Sequence, residues 1–334
     1  MTDSDEDYSE YSMDDWNLAD ASLGAEVIAL SDEFFAPCSR ILDPTPPQFK
    51  EGLYDEHGKW MDGWETRRRR SGGYDWCVIR LAYCGMVTGL EIDTSFFSGN
   101  APAGAALDGT RLPPGTNPDD CTKWEPLLGL ITLRGNAQHR VRLETSQPCT
   151  HVRMRIYPDG GIARLRVYGV VCPPDLKGVG DVCDLLALAN GGRVLAWSDA
   201  HYGHPRNLLR PERGRDMSDG WETRRRRGPG YDWCILSLGC PGTIEHIDVD
   251  TSHFKGNYPA SCSIHAARID GAPDASILLP QSLFWGILLP EQPLHPNTMH
   301  SFTDVTAIGP VTHLRFNIMP DGGVSRLRAY ARLA

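Results

Sequence analysis

No apolar run in this sequence approaches the ~18 residues of a membrane-spanning helix. The start, Met1 to Met13, is acidic and carries neither a basic region nor an apolar stretch, so no secretory signal is expected. The ten cysteines lack Cys-x-x-Cys spacing, which removes the common zinc and dithiol motifs. His-Glu-x-x-His, Gly-x-Ser-x-Gly, a phosphate-binding loop and a strand-linked Gly-x-Gly-x-x-Gly are also missing. Covalent serine chemistry and nucleotide-driven chemistry thus lose their usual signatures. A formal net charge of −10 argues against a generic polyanion-binding role. Thiols without a secretory context fit a reducing cytoplasm.

What the chain does contain, it contains twice. Asp62-Gly63-Trp64-Glu65-Thr66-Arg67-Arg68-Arg69-Arg70, followed by Gly73-Tyr74-Asp75-Trp76-Cys77, recurs as Asp219 to Arg227 followed by Gly230-Tyr231-Asp232-Trp233-Cys234. Ile92-Asp93-Thr94-Ser95 and Gly99-Asn100 recur as Val249-Asp250-Thr251-Ser252 and Gly256-Asn257. His151-Val152-Arg153 and Pro158-Asp159-Gly160-Gly161 recur as His313-Leu314-Arg315 and Pro320-Asp321-Gly322-Gly323. Ser31-Asp32 matches Ser198-Asp199. A repeat of this size is a whole domain. The expected organisation is an acidic disordered tail over 1–13, a first repeat over 14–171, a linker over 172–180 and a second repeat over 181–334.

Most of each repeat reads as strand. Val152, Met154 and Ile156 alternate with His151, Arg153, Arg155 and Tyr157, and Leu314, Phe316 and Ile318 alternate likewise. Pro-Asp-Gly-Gly is a turn signal, so each repeat is expected to end in an antiparallel hairpin with an arginine-rich face. Short helices are expected at Asp14–Leu23, stopped by Gly24, and from Asp181 through Ala189, stopped by Asn190-Gly191-Gly192. Many short strands with Gly and Pro turns predict an all-β chain of two tandem jelly-roll β-sandwiches. Cys77 and Cys234 fall in matching apolar strands as buried free thiols.

The arginine runs have three readings: structural ion pairs, a small-carboxylate site, or a nucleic-acid patch. In an extended segment Arg67 and Arg69 point one way and Arg68 and Arg70 the other, so both sets cannot serve one patch. Asp75 and Asp93, with Asp232 and Asp250 in the second copy, are the first candidate partners. Asp93 and Asp250 end apolar strands at a loop, as catalytic carboxylates or as turn caps. His151 and His313 begin a polar strand face beside Arg153 and Arg315, as general acid–bases or as structural groups. His201 and His253 replace Phe34 and Phe96, which separates the two copies. No metal-ligand spacing stands out, which leaves a divalent metal open and no cofactor in evidence.

The paired arginine motifs, Tyr-Asp-Trp-Cys, Asp-Thr-Ser with its Gly-Asn, and the Pro-Asp-Gly-Gly turns together resemble the allantoicase family, from about Ala25 to the end. The resemblance implies two jelly rolls similar to galactose-binding modules. It also implies an amidinohydrolase that converts allantoate and water to ureidoglycolate and urea in purine breakdown. The partner expected is a small molecule rather than nucleic acid or membrane, and a homo-oligomer is allowed. A non-catalytic pair of ligand-binding modules is the alternative, with a nucleic-acid adaptor behind it. The expected pocket gathers Asp250, Asn257, His313 and Arg315, with Asp93, Asn100, His151 and Arg153 as its first-copy equivalent. His and Asp would be catalytic there, while Arg and Asn would bind substrate.

Overall fold

The computed structural model describes residues 15–144, 147–176, 182–271 and 273–334. The acidic tail, Asp14 and Asp181 lie outside the described residues. The chain forms two compact units, divided after Cys172.

In the first unit one strand, Asp75–Asp93, belongs to both layers of a β-sandwich. Its first half pairs with Glu26–Leu30 and Cys149–Tyr157. Gly104–Thr110 and then Glu125–Thr132 extend that layer. Its second half pairs with Arg164–Val171 and Gln138–Arg142, and Trp16–Asn17 adds at the edge. The second unit repeats the plan around Asp232–Asp250. Side chains from the two halves meet between the layers. Ile79, Leu90, Val152, Ile156, Leu165 and Val167 are fully buried there.

The long strand doubles back. The Asp75 N–H donates to Pro158 O at 3.2 Å and the Ala163 N–H donates to Asp93 O at 2.8 Å, so both strand ends meet the same short connection. The fold-over lies at Gly85, where Cys149 and Val171 both pair. A Cβ on Gly85 would sit 2.6 Å from Leu18 Cδ1, and one on the equivalent Gly242 would sit 2.5 Å from Leu185 Cδ1. No side chain fits where the strand wraps the sandwich edge.

Two expectations need correction. Cys149–Tyr157 and Arg164–Val171 do not pair with each other as a hairpin. Each pairs with its own half of the long strand, and Pro158-Asp159-Gly160-Gly161 carries the chain from one layer to the other. Period-two alternation is the same in both arrangements, so the pattern alone could not separate them. The expected helices are also absent among the described residues. Trp16–Asn17 and Cys183–Asp184 join sheet edges, leaving only the 3₁₀ turns Ala21–Leu23 and Leu188–Asn190, each closed by a left-handed glycine. The apolar runs are too short to make a stable helix against that competition. The buried free thiols Cys77 and Cys234 are as expected.

The arginine-rich face of Arg164–Val171 is covered. Arg164 is buried, and its Nη2 donates to Asp62 Oδ2 at 2.8 Å while its Nε donates to Thr45 O at 2.9 Å. Arg326 does the same with Asp219 Oδ2 at 2.9 Å and Glu212 O at 3.1 Å. Arg164→Met strands the Asp62 carboxylate and frees Thr45 and Pro46, whose carbonyls the guanidinium holds. The expected loss is about 3 kcal/mol of first-unit stability, read by urea unfolding; a loss below ~1 kcal/mol would contradict this role.

Candidate active site

The arginine runs split by parity. Arg67 Nε donates to Asp32 Oδ2 at 2.6 Å and Arg69 Nη1 to Asp75 Oδ1 at 2.7 Å. In the second unit Arg224 Nε donates to Asp199 Oδ1 at 2.8 Å, and Arg226 pairs with Asp232. Backbone bonds hold the runs extended: the Arg69 N–H donates to Asp159 Oδ2 at 2.7 Å and the Arg226 N–H to Asp321 Oδ2 at 2.8 Å. Arg68, Arg70, Arg225 and Arg227 have no carboxylate partner among the described residues, and all four are exposed. They line two equivalent clefts, of about 830 Å³ in the first unit, where the paired Arg67 and Arg69 also reach the wall, and 640 Å³ in the second. Both volumes suit a small ligand.

Each cleft sets a carboxylate against its arginines. Glu65 Oε1 accepts from Asn100 Nδ2 at 2.8 Å, and Glu222 Oε1 accepts from Asn257 Nδ2 at 2.6 Å. Glu65 is half-buried, and burial raises its pKa despite the Asn100 hydrogen bond. The Pro-Asp-Gly-Gly turn forms the floor, tied down where Thr66 and Thr223 Oγ1 each accept from a glycine N–H, Gly160 or Gly322, at 3.1 Å. Gly160 has φ +134°, and a Cβ there would meet Asn100 O at 2.6 Å. Unpaired guanidinium groups beside a half-buried carboxylate and an amide can hold a small carboxylate and handle a proton near it. The walls differ: Phe34, Phe35 and Ala101 in the first cleft, Tyr202 and Tyr258 in the second.

Of the residues chosen from the sequence, Asn100 and Asn257 sit in these clefts. Asp93 and Asp250 lie at the same end but are buried turn caps. Their Oδ1 atoms accept the N–H of Ser95 at 2.7 Å and of Ser252 at 2.9 Å. His151 and His313 lie at the opposite end of their strands, opposite Arg80 and Ser237. Six extended residues, about 20 Å, separate them from the cleft floor. Each sits with Nδ1 by its neighbouring threonine Oγ1, Thr150 at 2.9 Å and Thr312 at 2.8 Å. Burial lowers both histidine pKa values, and Arg80 lowers that of His151 further. Arg153 and Arg315 project from the outer sheet face, Arg153 to Asp108 at 3.0 Å and Arg315 to Ser282 Oγ at 2.6 Å. The expected pocket of Asp250, Asn257, His313 and Arg315 is therefore not one place, nor is its first-copy equivalent. Strand direction, which the alternation does not give, sends histidine and asparagine to opposite ends.

Arg68, Arg70, Arg225 and Arg227 are where the small-carboxylate reading of the arginine runs falls, whereas Glu65 and Glu222 are additions from the structure. The signal lay in the duplicated Glu-Thr-Arg motif itself. His253 packs its Nε2 by Gly214 O at 2.7 Å and His201 packs edge-on to Tyr202, so these exchanges belong to packing. Among the described residues, no three of His, Cys, Asp and Glu gather as a metal-ligand cluster.

Unpaired exposed arginines contribute little to folding. The Arg68→Ala, Arg70→Ala double variant should unfold within about 0.5 kcal/mol of wild type in urea, whereas Arg69→Ala, which strands the buried Asp75, should lose clearly more. Equal losses would contradict the division between the two pairs.

The comparisons with known proteins point one way. The allantoicase repeat family model matches residues 16–172 and 183–334. The probable allantoicase 1 of Burkholderia mallei (strain ATCC 23344) is 51% identical over 322 residues, spanning 95% of this chain and 94% of that one. The probable allantoicase of Pseudomonas aeruginosa (strain LESB58) is 53% identical over 323 residues, with 95% of each chain covered. The crystal structure of Saccharomyces cerevisiae allantoicase superposes with a TM-score of 0.76 at 33% identity, covering 95% of this chain and 93% of that one. With two matched repeats, half its residues shared with these relatives and the same fold throughout, this chain belongs to the allantoicase family.

Proposed function

We propose that the chain is an allantoicase that hydrolyses allantoate to ureidoglycolate and urea in its arginine-lined clefts. The observation that carries this reading is the unneutralised arginine pair set beside a half-buried glutamate, Glu65 in the first unit. Allantoate offers one carboxylate and two ureido arms on a single carbon. Arg68 and Arg70 anchor the carboxylate. Asn100 and Glu65 face a ureido arm, whose N–H groups donate and whose carbonyl accepts.

Burial keeps Glu65 protonated to higher pH, which suits it as the general acid. The central C–N bond breaks with its electron pair leaving on the urea nitrogen, which takes the Glu65 proton. The remaining ureido nitrogen stabilises the electron-poor carbon. Water then adds to that carbon and passes its proton to the Glu65 carboxylate. One C–N bond is broken, one C–O bond is formed and the acid is restored. These steps use protein groups alone, so a chelator is expected to leave turnover unchanged.

No helix among the described residues is long and apolar enough to cross a membrane. We take the enzyme to be cytoplasmic, where its ten unpaired cysteines would stay reduced, and to work without nucleic acid.

Glu65→Gln keeps an oxygen for Asn100 and removes the acid. Urea release from allantoate should fall by roughly 10² or more. A raised folded-state pKa means that Glu65 favours the fold at low pH and that this contribution is lost as pH rises through the raised value. The variant should therefore be no less stable than wild type at neutral pH, and wild type should lose ground to it as pH rises. Saturable binding of allantoate by the wild type without urea release would overturn the enzymatic reading. His151→Asn and His313→Asn should turn over near the wild-type rate, and a loss of about 10²-fold in either would return the histidines to the mechanism.

A further inference from the structure

The outer sheet face of each unit carries the same socket, and only the second unit fills it from its own chain. There the helix Ala275–Gln281 packs Leu278 with Ile235 and Trp285, against Leu195, Ala196 and Trp233. Arg315 Nη1 donates to Ser282 Oγ at 2.6 Å, and Leu278 and Ser282 are both buried. In the first unit the equivalents of the five surrounding side chains are Val78, Trp124, Ile28, Ala29 and Trp76, and they line a cavity of about 440 Å³. The connection over it, residues 111–124, is four residues shorter than residues 268–285 and forms no helix. It spans the mouth with Asn117, Asp119 and Asp120 and leaves room for a small molecule rather than for a helical segment.

The polar groups of the two sockets also differ. In the second unit the Arg315 guanidinium lies over the Trp233 ring at 4.6 Å. In the first, Asp108 stands where the second has His265, opposite the same arginine. Asp108 Oδ2 accepts from Arg153 Nε at 3.1 Å and Nη2 at 3.0 Å, and the guanidinium lies over Trp124 instead, at 4.8 Å. Among the described residues this leaves the Trp76 ring with no aromatic or cationic partner and Arg153 Nη1 with no acceptor. Asp119 is occupied by the Cys121 N–H at 3.1 Å and Thr122 Oγ1 at 2.9 Å, whereas the Asp120 carboxylate is uncommitted.

We propose that this cavity binds a small planar heterocycle with a ring N–H beside a ring carbonyl, the edge that nucleobases carry. The ring stacks on Trp76. Its carbonyl oxygen accepts from Arg153 Nη1, as Ser282 Oγ does from Arg315 Nη1 in the second unit. Its N–H donates to Asp120, a charge-assisted bond. The charges select this class. A cation would meet Arg153 and an anion would meet Asp120, while a purely apolar filler would leave both unmatched. A neutral ring with a donor and an acceptor on one edge satisfies the two together. The site shares no lining residue with the arginine-lined cleft of the same unit, so it does not rest on the reaction proposed there.

Calorimetric titration of the full chain with uracil is the test. Uracil should bind saturably, with Kd below about 1 mM. Dimethylated uracil, which keeps both carbonyls and has no ring N–H, should bind at least about fivefold more weakly. Trp76→Leu and Asp120→Ala should each weaken uracil binding by a similar factor. Asp120 is exposed, so its variant keeps the fold and decides the matter even if Trp76→Leu does not fold. No saturable binding up to about 10 mM uracil overturns the proposal. So does dimethylated uracil that binds as well as uracil, and so does uracil binding that Asp120→Ala leaves unchanged.

Discussion

A buried carboxylate at the start of the long strand sets up the site. Asp75 takes Arg69, and Asp232 takes Arg226, in each unit six residues back along the chain. A serine hydroxyl completes each carboxylate, Ser31 at 3.0 Å and Ser198 at 2.9 Å. The following aspartates, Asp32 and Asp199, take Arg67 and Arg224. With alternate arginines tied to carboxylates, the others stand in the cleft with no carboxylate partner among the described residues. Asp32, Asp75, Asp199 and Asp232 are committed to the paired arginines, and Glu65 and Glu222 hold the cleft asparagines instead. The duplicated Ser-Asp pair and the duplicated arginine run are thus two halves of one device.

That device depends on the doubled-back strand. Because both ends of Asp75–Asp93 return to the Pro158–Ala163 connection, the arginine run, Asn100 and the glycine floor reach one place from distant parts of the chain. The same folding sends His151 and His313 to the other end. The repeats have kept this framework and changed what surrounds it. Ala101 against Tyr258 narrows the second cleft. A charged loop in the first repeat stands where the second has an apolar helix and turn.

The sequence made the fold class legible because alternation and turn chemistry are local, and the duplication showed each pattern twice. It made the arginine alternation legible for the same reason. The Pro158 connection is not legible as a crossover, because crossing between layers and pairing within one leave identical local patterns. For His151 and His313 residue type suggests chemistry, while strand direction, which the sequence pattern does not give, places them at the far end from the arginine-lined clefts. The half-buried state of Glu65 is not legible in the sequence, because it comes from Asn100 and the glycine turn, both far away along the chain.

The central claim is that the unpaired arginines, rather than the paired ones or the strand histidines, hold the substrate. Steady-state urea release by a variant with Arg68, Arg70, Arg225 and Arg227 all changed to Ala tests it most directly. The account predicts a folded protein whose kcat/KM for allantoate is lower by at least about 10²-fold, since charge-assisted bonds to the substrate carboxylate are lost in both clefts. A folded variant with wild-type kcat/KM would contradict it.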